Sequence, residues 1–342
     1  MVDERILVIT DCEGPITLND NAFELSSHFV PEGDRFFSQL SAFDDYLADI
    51  ERMEDYKAGN TLALIIPFLL EYGLTDGEAV EFSHKNLAFV PEALEVYKKL
   101  AKISQVRLYI VSTSYECYIE AVLSKLDLSR ERGFCTEVSF SDGCNRLFRE
   151  PFKDGCDILR RFRFQIISAP KIELNNAKKF KDLSKGTKEA IRGFKEIFFE
   201  EMPRIADFLI WSVNPIGGPE KAKPIKVIVK KEKIPFSKTI YIGDSITDKE
   251  ALALVRKKRG LAISFNGNRY ALEEAEFAVI SETAKPIKII AKYFLEGGKE
   301  KVLKRRYELP ELRKISENNF EEIVGKSEKM RQKVRGCVGK LG

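Results

Sequence analysis

The sequence contains few of the residues that form the commonest metal and nucleophile sites. Only two histidines occur, His28 and His84, which excludes a histidine-rich metal centre and leaves little room for a catalytic triad. The cysteines form no Cys-x-x-Cys pair and have no histidine nearby, so neither a zinc site nor a disulfide framework is indicated. There are six of them: Cys12, Cys117, Cys135, Cys144, Cys156 and Cys337.

Long apolar runs are also absent. The longest candidate, from Thr61 to Leu70, contains Pro67 and is much shorter than the roughly 20 residues that cross a bilayer. The amino terminus, Met1-Val-Asp-Glu-Arg5, lacks the basic flank and the cleavage site of a signal peptide. We therefore expect a cytoplasmic protein that does not bind a membrane.

Short apolar runs alternate with stretches of helical periodicity, which is typical of a parallel sheet with helices on both faces. The 342 residues suffice for a core with one or two accessory domains. Five strands are predicted: Arg5 to Thr10, Val106 to Val111, Thr239 to Ile242, Gly260 to Phe265 and Phe277 to Ile280.

Two insertions interrupt this alternation. Residues 17–103 have helical patterns only, so we expect a helical cap after the first strand. Residues 131–216 mix a strand-like segment, a lysine-rich loop and an amphipathic helix, and their pattern predicts no particular fold. The predicted fold is thus α/β, with a Rossmann-like parallel sheet built from residues 1–16, 104–130 and 217–300.

The last segment, residues 301–342, is basic. It has twelve Lys or Arg against six Glu. A basic tail could bind nucleic acid or an acidic partner, but here acids and bases are interspersed as on a solvated helix. We expect a helical, peripheral tail and no nucleic-acid binding.

Carboxylates follow two of the predicted strands. Asp11 and Glu13 come directly after the first strand, two residues apart, so both can act on one centre, and Gly14 lets the chain turn away. Asp244 and Asp248 follow the strand that begins at Thr239. Since α/β sheets do their chemistry at the carboxyl ends of their strands, two acidic strand ends suggest a divalent cation between them.

The order of these residues resembles a known signature. Asp11-x-Glu13-Gly14 ends the first strand, Ser112 ends the second, Lys221 stands 23 residues before Asp244, and Gly243-Asp244-Ser-Ile-Thr-Asp248 ends the third. This resembles the four motifs of the haloacid dehalogenase (HAD) superfamily of phosphohydrolases. The stretch from Lys221 to Asp248 looks most like phosphoserine phosphatase-type members. As a whole, the chain also looks like a group of archaeal HAD proteins that includes a subunit R of an energy-converting hydrogenase.

The resemblance implies a role for each motif residue. Mg²⁺ would be held by Asp11, Asp244 and the backbone carbonyl of Glu13, and Ser112 and Lys221 would bind the phosphate. Asp11 would attack phosphorus and form an aspartyl-phosphate. Glu13 would protonate the leaving oxygen and then activate the hydrolytic water.

Three alternatives stay open in the site. The family usually has Asp where this chain has Glu13, although some members carry Asp-x-Glu-Gly. Lys223 lies two residues from Lys221 and is the other candidate for the phosphate lysine. Asp248 fits either a metal ligand or, as we favour, a residue that orients Lys221 or a metal-bound water.

The predicted function is a Mg²⁺-dependent phosphatase for a small phosphorylated metabolite, because a cap over the site would exclude bulky substrates and bulk water. A phosphomutase would share every motif. A non-catalytic subunit for complex assembly is the third alternative, with the insertions and the tail as contact surfaces, and a homodimer is left open. The sequence does not identify the substrate.

Overall fold

The computed structural model describes residues 5–141, 155–175, 177–204, 213–336 and 338–340. In these residues one mixed sheet contains the strands β1 (Ile6–Thr10), β2 (Val106–Tyr115), β3 (Gly133–Thr136), β4 (Thr239–Gly243), β5 (Leu261–Phe265), β6 (Phe277–Val279) and β7 (Leu312–Lys314). Their order is β3-β2-β1-β4-β5-β6-β7. All neighbours pair in parallel except β6 and β7, which are antiparallel. The predicted α/β class with a parallel sheet is confirmed.

The central strand is β1, between β2 and β4. All five of its residues are buried, as expected for a strand covered by helices on both faces. Thr10 at its end is level with Ile110 of β2 and with Ile242 of β4. Because the three strands are parallel and in register, the residues that follow their carboxyl ends meet at one edge of the sheet.

The helices are placed mainly as the periodicity predicts. They are α1 (Asn21–Phe29), α2 (Gly33–Asp45), α3 (Thr61–Glu71), α4 (Asp76–Lys85), α5 (Ala93–Ala101), α6 (Glu116–Lys125), α7 (Gly155–Ser168), α8 (Lys185–Lys195), α9 (Pro219–Glu232), α10 (Lys249–Lys257), α11 (Arg269–Glu274), α12 (Lys285–Arg305) and α13 (Phe320–Arg335). Helices α5, α6 and α12 cover one face of the sheet, and α9, α10 and α11 cover the other. None of the helices in the described part of the chain is long and apolar enough to span a membrane.

Both insertions contribute to one cap. Side chains of α1 to α4 share a single buried cluster with those of α7 and α8. The ring of Phe43, for example, lies 5.5 Å from that of Phe194. Helix α4 begins with a capping box formed by Thr75 and Glu78. Four helices were not predicted: α1, α7, α11 and α12. The amphipathic helix predicted near residues 188–208 corresponds to α8, and its predicted end lies outside the described residues.

The expectation that the tail is peripheral is wrong. Strand β7 extends the sheet at β6, where Leu312 is level with Val279. Helix α13 buries Ile323 and Val324 in a cluster that includes Ala278 of β6. The interspersed charges describe only the exposed face of this helix, because an amphipathic helix also has a face that packs on the core.

Candidate active site

Asp11 follows β1 and is 5 % exposed. One of its carboxylate oxygens accepts a hydrogen bond from the backbone N–H of Cys12 at 2.7 Å, and the other lies 2.9 Å from Nζ of Lys221. Burial raises the pKa of Asp11 to about 7, against the opposing charge of Lys221. The pairing with Lys221 therefore keeps a strongly desolvated carboxylate partly ionised.

Cys12 points the other way, as the alternation along a strand predicts. It lies in the apolar cluster on the opposite face of the sheet, and burial raises the pKa of its thiol well above the ordinary value. Like Cys117, Cys135 and Cys156, it is a free thiol. The other two cysteines, Cys144 and Cys337, lie outside the described residues.

Lys221 and Lys223 have clearly different surroundings. Lys221 lies in the first turn of α9, which begins at Pro219, and its side chain is completely buried between Asp11 and Asp248. The side chain of Lys223 is 67 % exposed and pairs with Glu220. Of the two candidate lysines, only Lys221 contacts the carboxylates of the site.

Asp248 is surrounded by donors. One oxygen accepts from Nζ of Lys221 at 2.7 Å and from the hydroxyl of Tyr241 at 2.6 Å. The other accepts from the backbone N–H groups of Asp244 and Ser245 at 2.9 and 3.1 Å. Burial would raise the pKa of Asp248, but Lys221 and these donors lower it below the ordinary value. Asp248 thus fixes both Lys221 and the loop that carries Asp244.

Asp244 has a different environment. It follows β4, and its carboxylate lies so close to the turn after β1 that a Cβ atom on Gly14 would overlap it. Gly14 also has a φ of 111°, which favours glycine. Burial raises the pKa of Asp244 even though two arginines lower it. These arginines, Arg331 and Arg335, come from α13.

The arginines of α13 were missed by the sequence analysis. Nη1 of Arg331 contacts Oδ2 of Asp244, and Nη1 of Arg335 lies 3.3 Å from the same oxygen. A weak signal existed, because the apolar positions Ile323 and Val324 and the buried Ser327 continue at helical spacing into Arg331 and Arg335. A helix face that begins with apolar residues and ends in two arginines indicates that these arginines are buried.

Three carboxylates converge at this edge of the sheet. Asp11, Asp244 and Asp248 each place an oxygen within 4.8 Å of the others. Both oxygens of Asp248 already have donors, whereas no described residue donates to Oδ1 of Asp244. Hard carboxylate oxygens suit Mg²⁺, and the raised pKa values of Asp11 and Asp244 reflect desolvated charge that a cation would stabilise. Asp11 and Asp244 therefore fit a divalent cation.

The side chain of Glu13 is directed toward the cap. Its Oε1 accepts a hydrogen bond from the backbone N–H of Asn21, the first residue of α1, at 2.7 Å. Burial, followed by the nearby charge of Asp20, raises the pKa of Glu13 well above the ordinary value. Because its carboxylate is directed toward α1, Glu13 does not belong to the cluster formed by the three aspartates. Its raised pKa means that it favours the protonated form.

Ser112 lies in β2, next to β1, and is 1 % exposed. Its hydroxyl is 3.1 Å from that of Ser114. Ser112 lines a cavity of about 100 Å³ between the core and the cap, together with Asp11, Glu13 and Asp244. The cap contributes polar residues to the same cavity, among them Asp44 and Thr61.

The sheet order, the cap inserted after β1 and the acids that follow β1 and β4 agree with the arrangement that the resemblance to the HAD superfamily predicts. Among solved structures, gene product AF1437 from Archaeoglobus fulgidus is 32% identical, with a TM-score of 0.81 over 99% of both chains. The chain belongs to the same family as this archaeal protein. The predicted resemblance is confirmed.

More distant structures are also similar. A phospho-aspartyl intermediate analogue of phosphoserine phosphatase is 16% identical, with a TM-score of 0.49 over 84% of this chain and 98% of that chain. A HAD-family hydrolase, t0658 from Salmonella enterica serovar Typhi, is 11% identical, with a TM-score of 0.45 over 79% of this chain and 65% of that chain. Comparison with protein-family models and with curated proteins found no match.

Proposed function

We propose that the protein is a Mg²⁺-dependent phosphatase that hydrolyses a small phosphomonoester through an aspartyl-phosphate. The observation that carries this proposal is the position of Asp11. It is buried at the end of the central strand, it pairs with Lys221, and it lines a small cavity with Ser112 and Asp244. A carboxylate held in this way is a nucleophile directed at a site for a small anion.

Asp11 and Asp244 would hold the cation, together with the backbone carbonyl of Glu13. When bound, Mg²⁺ supplies positive charge that reduces the repulsion between the phosphate and the attacking carboxylate. Lys221 favours the ionised form of Asp11 and fixes its orientation. The hydroxyl of Ser112 would donate to an oxygen of the phosphoryl group.

Glu13 fits the acid and base of the reaction. In the first step, an oxygen of Asp11 forms a bond to phosphorus, the bond to the ester oxygen breaks, and Glu13 gives its proton to that oxygen. In the second step, Glu13 takes a proton from the water that attacks the aspartyl-phosphate, and phosphate leaves. The raised pKa of Glu13 supports this role, because the acid must be protonated before the first step.

The cap limits the size of the substrate. The cavity measures about 100 Å³, and cap residues such as Asp44 and Thr61 line it together with residues of the core. This favours a small metabolite over a phosphoprotein or a nucleic acid. A phosphomutase would use the same residues and differ only in the acceptor, so the experiment has to measure the release of inorganic phosphate to water.

The test is hydrolysis of p-nitrophenyl phosphate, followed by a panel of phosphorylated metabolites. Activity should require Mg²⁺ and disappear in EDTA. Asp11→Asn should lower kcat by at least about 10³, since the covalent step is lost. Asp55→Asn, at an exposed position, is the matched control and should retain full activity. A folded Asp11→Asn variant within tenfold of wild type would exclude Asp11 as the nucleophile.

Glu13→Gln tests the acid and base role. A nitrophenolate leaving group needs little protonation, so the first step should be slowed less for this substrate than for an alkyl phosphate. Hydrolysis of the intermediate should still lack its base, and rapid mixing should show a burst of nitrophenol. Equal losses for both leaving groups, with no burst, would assign the acid and base role to another residue.

A further inference from the structure

The charge of the active-site cavity is unfavourable for a phosphate. Six acidic residues line it: Asp11, Glu13, Asp20, Asp44, Asp45 and Asp244. Among the described residues, Arg331 and Arg335 are the only basic residues that line it. Lys221 is not part of the lining, because it is fully buried behind Asp11. An anion that enters the cavity therefore meets two guanidinium groups and no ammonium group.

Both guanidinium groups are held rigidly. Their side chains are 5 % and 6 % exposed. Nε of Arg331 donates to the backbone carbonyl of Gly339, and Nη1 donates to that of Asp244, each at 3.1 Å. Arg335 donates through Nε to the carbonyl of Leu18 at 3.1 Å and through Nη2 to that of Asn19 at 2.6 Å.

These carbonyls position the guanidinium groups without neutralising them. Both arginines pair with the same carboxylate oxygen of Asp244, and their charges also oppose the rise in the pKa of Asp20. A cation on Asp244 would take over part of the neutralisation of that carboxylate. The guanidinium groups could then share an anion with the cation, and their planar shape matches the oxygens of a phosphoryl group.

We propose that Arg331 and Arg335 are substrate-binding residues that contact the phosphoryl oxygens, so that the C-terminal helix α13 completes the active site. This proposal rests on the proposed phosphatase function. It assigns to the basic tail a direct contact with the substrate. It also gives the site a way to hold phosphate that does not depend on Lys221.

The main alternative is that the arginines occupy Asp244 in place of a divalent cation. Both alternatives use the same contacts, but they predict changes in different affinities when an arginine is removed. A phosphate-binding arginine strengthens phosphate binding, so its loss weakens that binding. A competitor of the cation weakens cation binding, so its loss strengthens that binding.

The experiment measures two affinities by isothermal titration calorimetry, that of Mg²⁺ alone and that of inorganic phosphate in saturating Mg²⁺. The variants are Arg331→Gln, Arg335→Gln and Arg331→Lys. Lys333→Gln is the matched control, because Lys333 lies on the same helix, is 60 % exposed and pairs with Glu282. Circular dichroism and thermal melting check that each variant folds.

We expect each glutamine variant to bind phosphate about tenfold more weakly or worse, because a charge-assisted hydrogen bond is lost. KM for p-nitrophenyl phosphate should rise by a similar factor. Arg331→Lys should recover part of the affinity, since it keeps the charge and loses the planar fork. Lys333→Gln should bind phosphate like the wild type.

A wild-type protein that hydrolyses phosphomonoesters, with glutamine variants that bind phosphate within twofold of it, overturns the inference and leaves the phosphatase function intact. Tighter Mg²⁺ binding in Arg331→Gln, with unchanged phosphate binding, overturns it in favour of competition with the cation. A wild-type protein that neither binds phosphate nor hydrolyses any ester overturns both proposals. Weak phosphate binding by the variants supports the inference even where hydrolysis is absent.

Discussion

Lys221 and Arg331 are two buried cations on opposite sides of the same group of aspartates. Lys221 lies on α9 and pairs with Asp11 and Asp248, entirely within the core. Arg331 lies on α13 in the tail and pairs with Asp244 beside the cavity. One cation belongs to a recognisable motif, and the other belongs to a segment that looks solvated in the sequence.

The two aspartates that face these cations differ in pKa. That of Asp248 is lowered, because Lys221, Tyr241 and backbone N–H groups outweigh its burial. That of Asp244 is raised, because burial outweighs both arginines. The Lys221 side is therefore a satisfied network that holds the site in shape. On the Arg331 side, the carboxylate of Asp244 would still be stabilised by additional positive charge, as expected at a site where ligands bind and leave.

The largest effect is expected for Lys221→Met. It leaves Asp11 and Asp248 buried without their cation, which should cost about 3–5 kcal/mol of unfolding free energy. Lys223→Met is the control and should change stability by less than about 0.5 kcal/mol, because Lys223 is exposed. Urea denaturation measures both. Equal stability of the two variants would mean that the Lys221 network does not hold the site.

Ile323→Ala tests whether the tail is as much part of the folded core as α9. Ile323 is 3 % exposed and packs against Leu272 and Ala278, so its truncation should cost about 2–5 kcal/mol. Lys329→Ala, on the exposed face of α13, should be close to neutral. The same urea titration applies. A neutral Ile323→Ala would restore the expectation of a peripheral tail and weaken the role of Arg331.

Tyr241→Phe sharpens the difference between Asp248 and Asp244. It removes the hydroxyl that donates to Asp248 at 2.6 Å, which should cost about 1.5–3 kcal/mol, the usual range for a hydrogen bond to a charged group. Tyr293→Phe removes an exposed hydroxyl that donates to Glu308 and should have almost no effect. Thermal melting at neutral pH compares them. A Tyr241→Phe variant as stable as Tyr293→Phe would show that Asp248 is satisfied without Tyr241.

The smallest effect concerns pH. The pKa of Asp11 is raised from 3.8 to about 7, so between these values the folded protein keeps a proton that the unfolded chain has lost. The unfolding free energy of the metal-free protein should therefore fall as pH rises from about 4 to about 7, by at least about 1.4 kcal/mol, the equivalent of one pKa unit.

Asp11→Asn should make this decline smaller by the contribution of Asp11 and leave the part that comes from other carboxyls with a raised pKa, such as Glu13 and Asp244. Asp55→Asn should keep the whole decline. Asp248 contributes in the opposite direction, since its lowered pKa stabilises the fold above about pH 4 and that contribution is lost on acidification. Denaturant titrations in EDTA at several pH values measure how the unfolding free energy of each variant depends on pH. An unchanged slope in Asp11→Asn would assign the titrating group to another residue.

Much of the core could be predicted from local patterns. The five predicted strands are β1, β2, β4, β5 and β6, because each is a short apolar run that is buried on both faces. Strand β7 could not be predicted, since Leu312-Arg-Lys314 has only one buried residue and forms by pairing with β6. Helix α7 was also missed, and its apolar side packs on the other insertion.

The sequence by itself determined five strands of the sheet, the cap after the first strand and the meeting of Asp11, Ser112, Lys221 and Asp244 at one edge. Strand polarity and motif order are local properties, and parallel strands in register bring their carboxyl ends together. Only the tertiary structure decided that Lys221 rather than Lys223 contacts Asp11, and that Arg331 and Arg335 contact Asp244. Arg331 is 87 positions from Asp244 in the sequence, and Arg335 is 91 positions from it. Contacts over such separations depend on how α13 packs, and no local pattern encodes them.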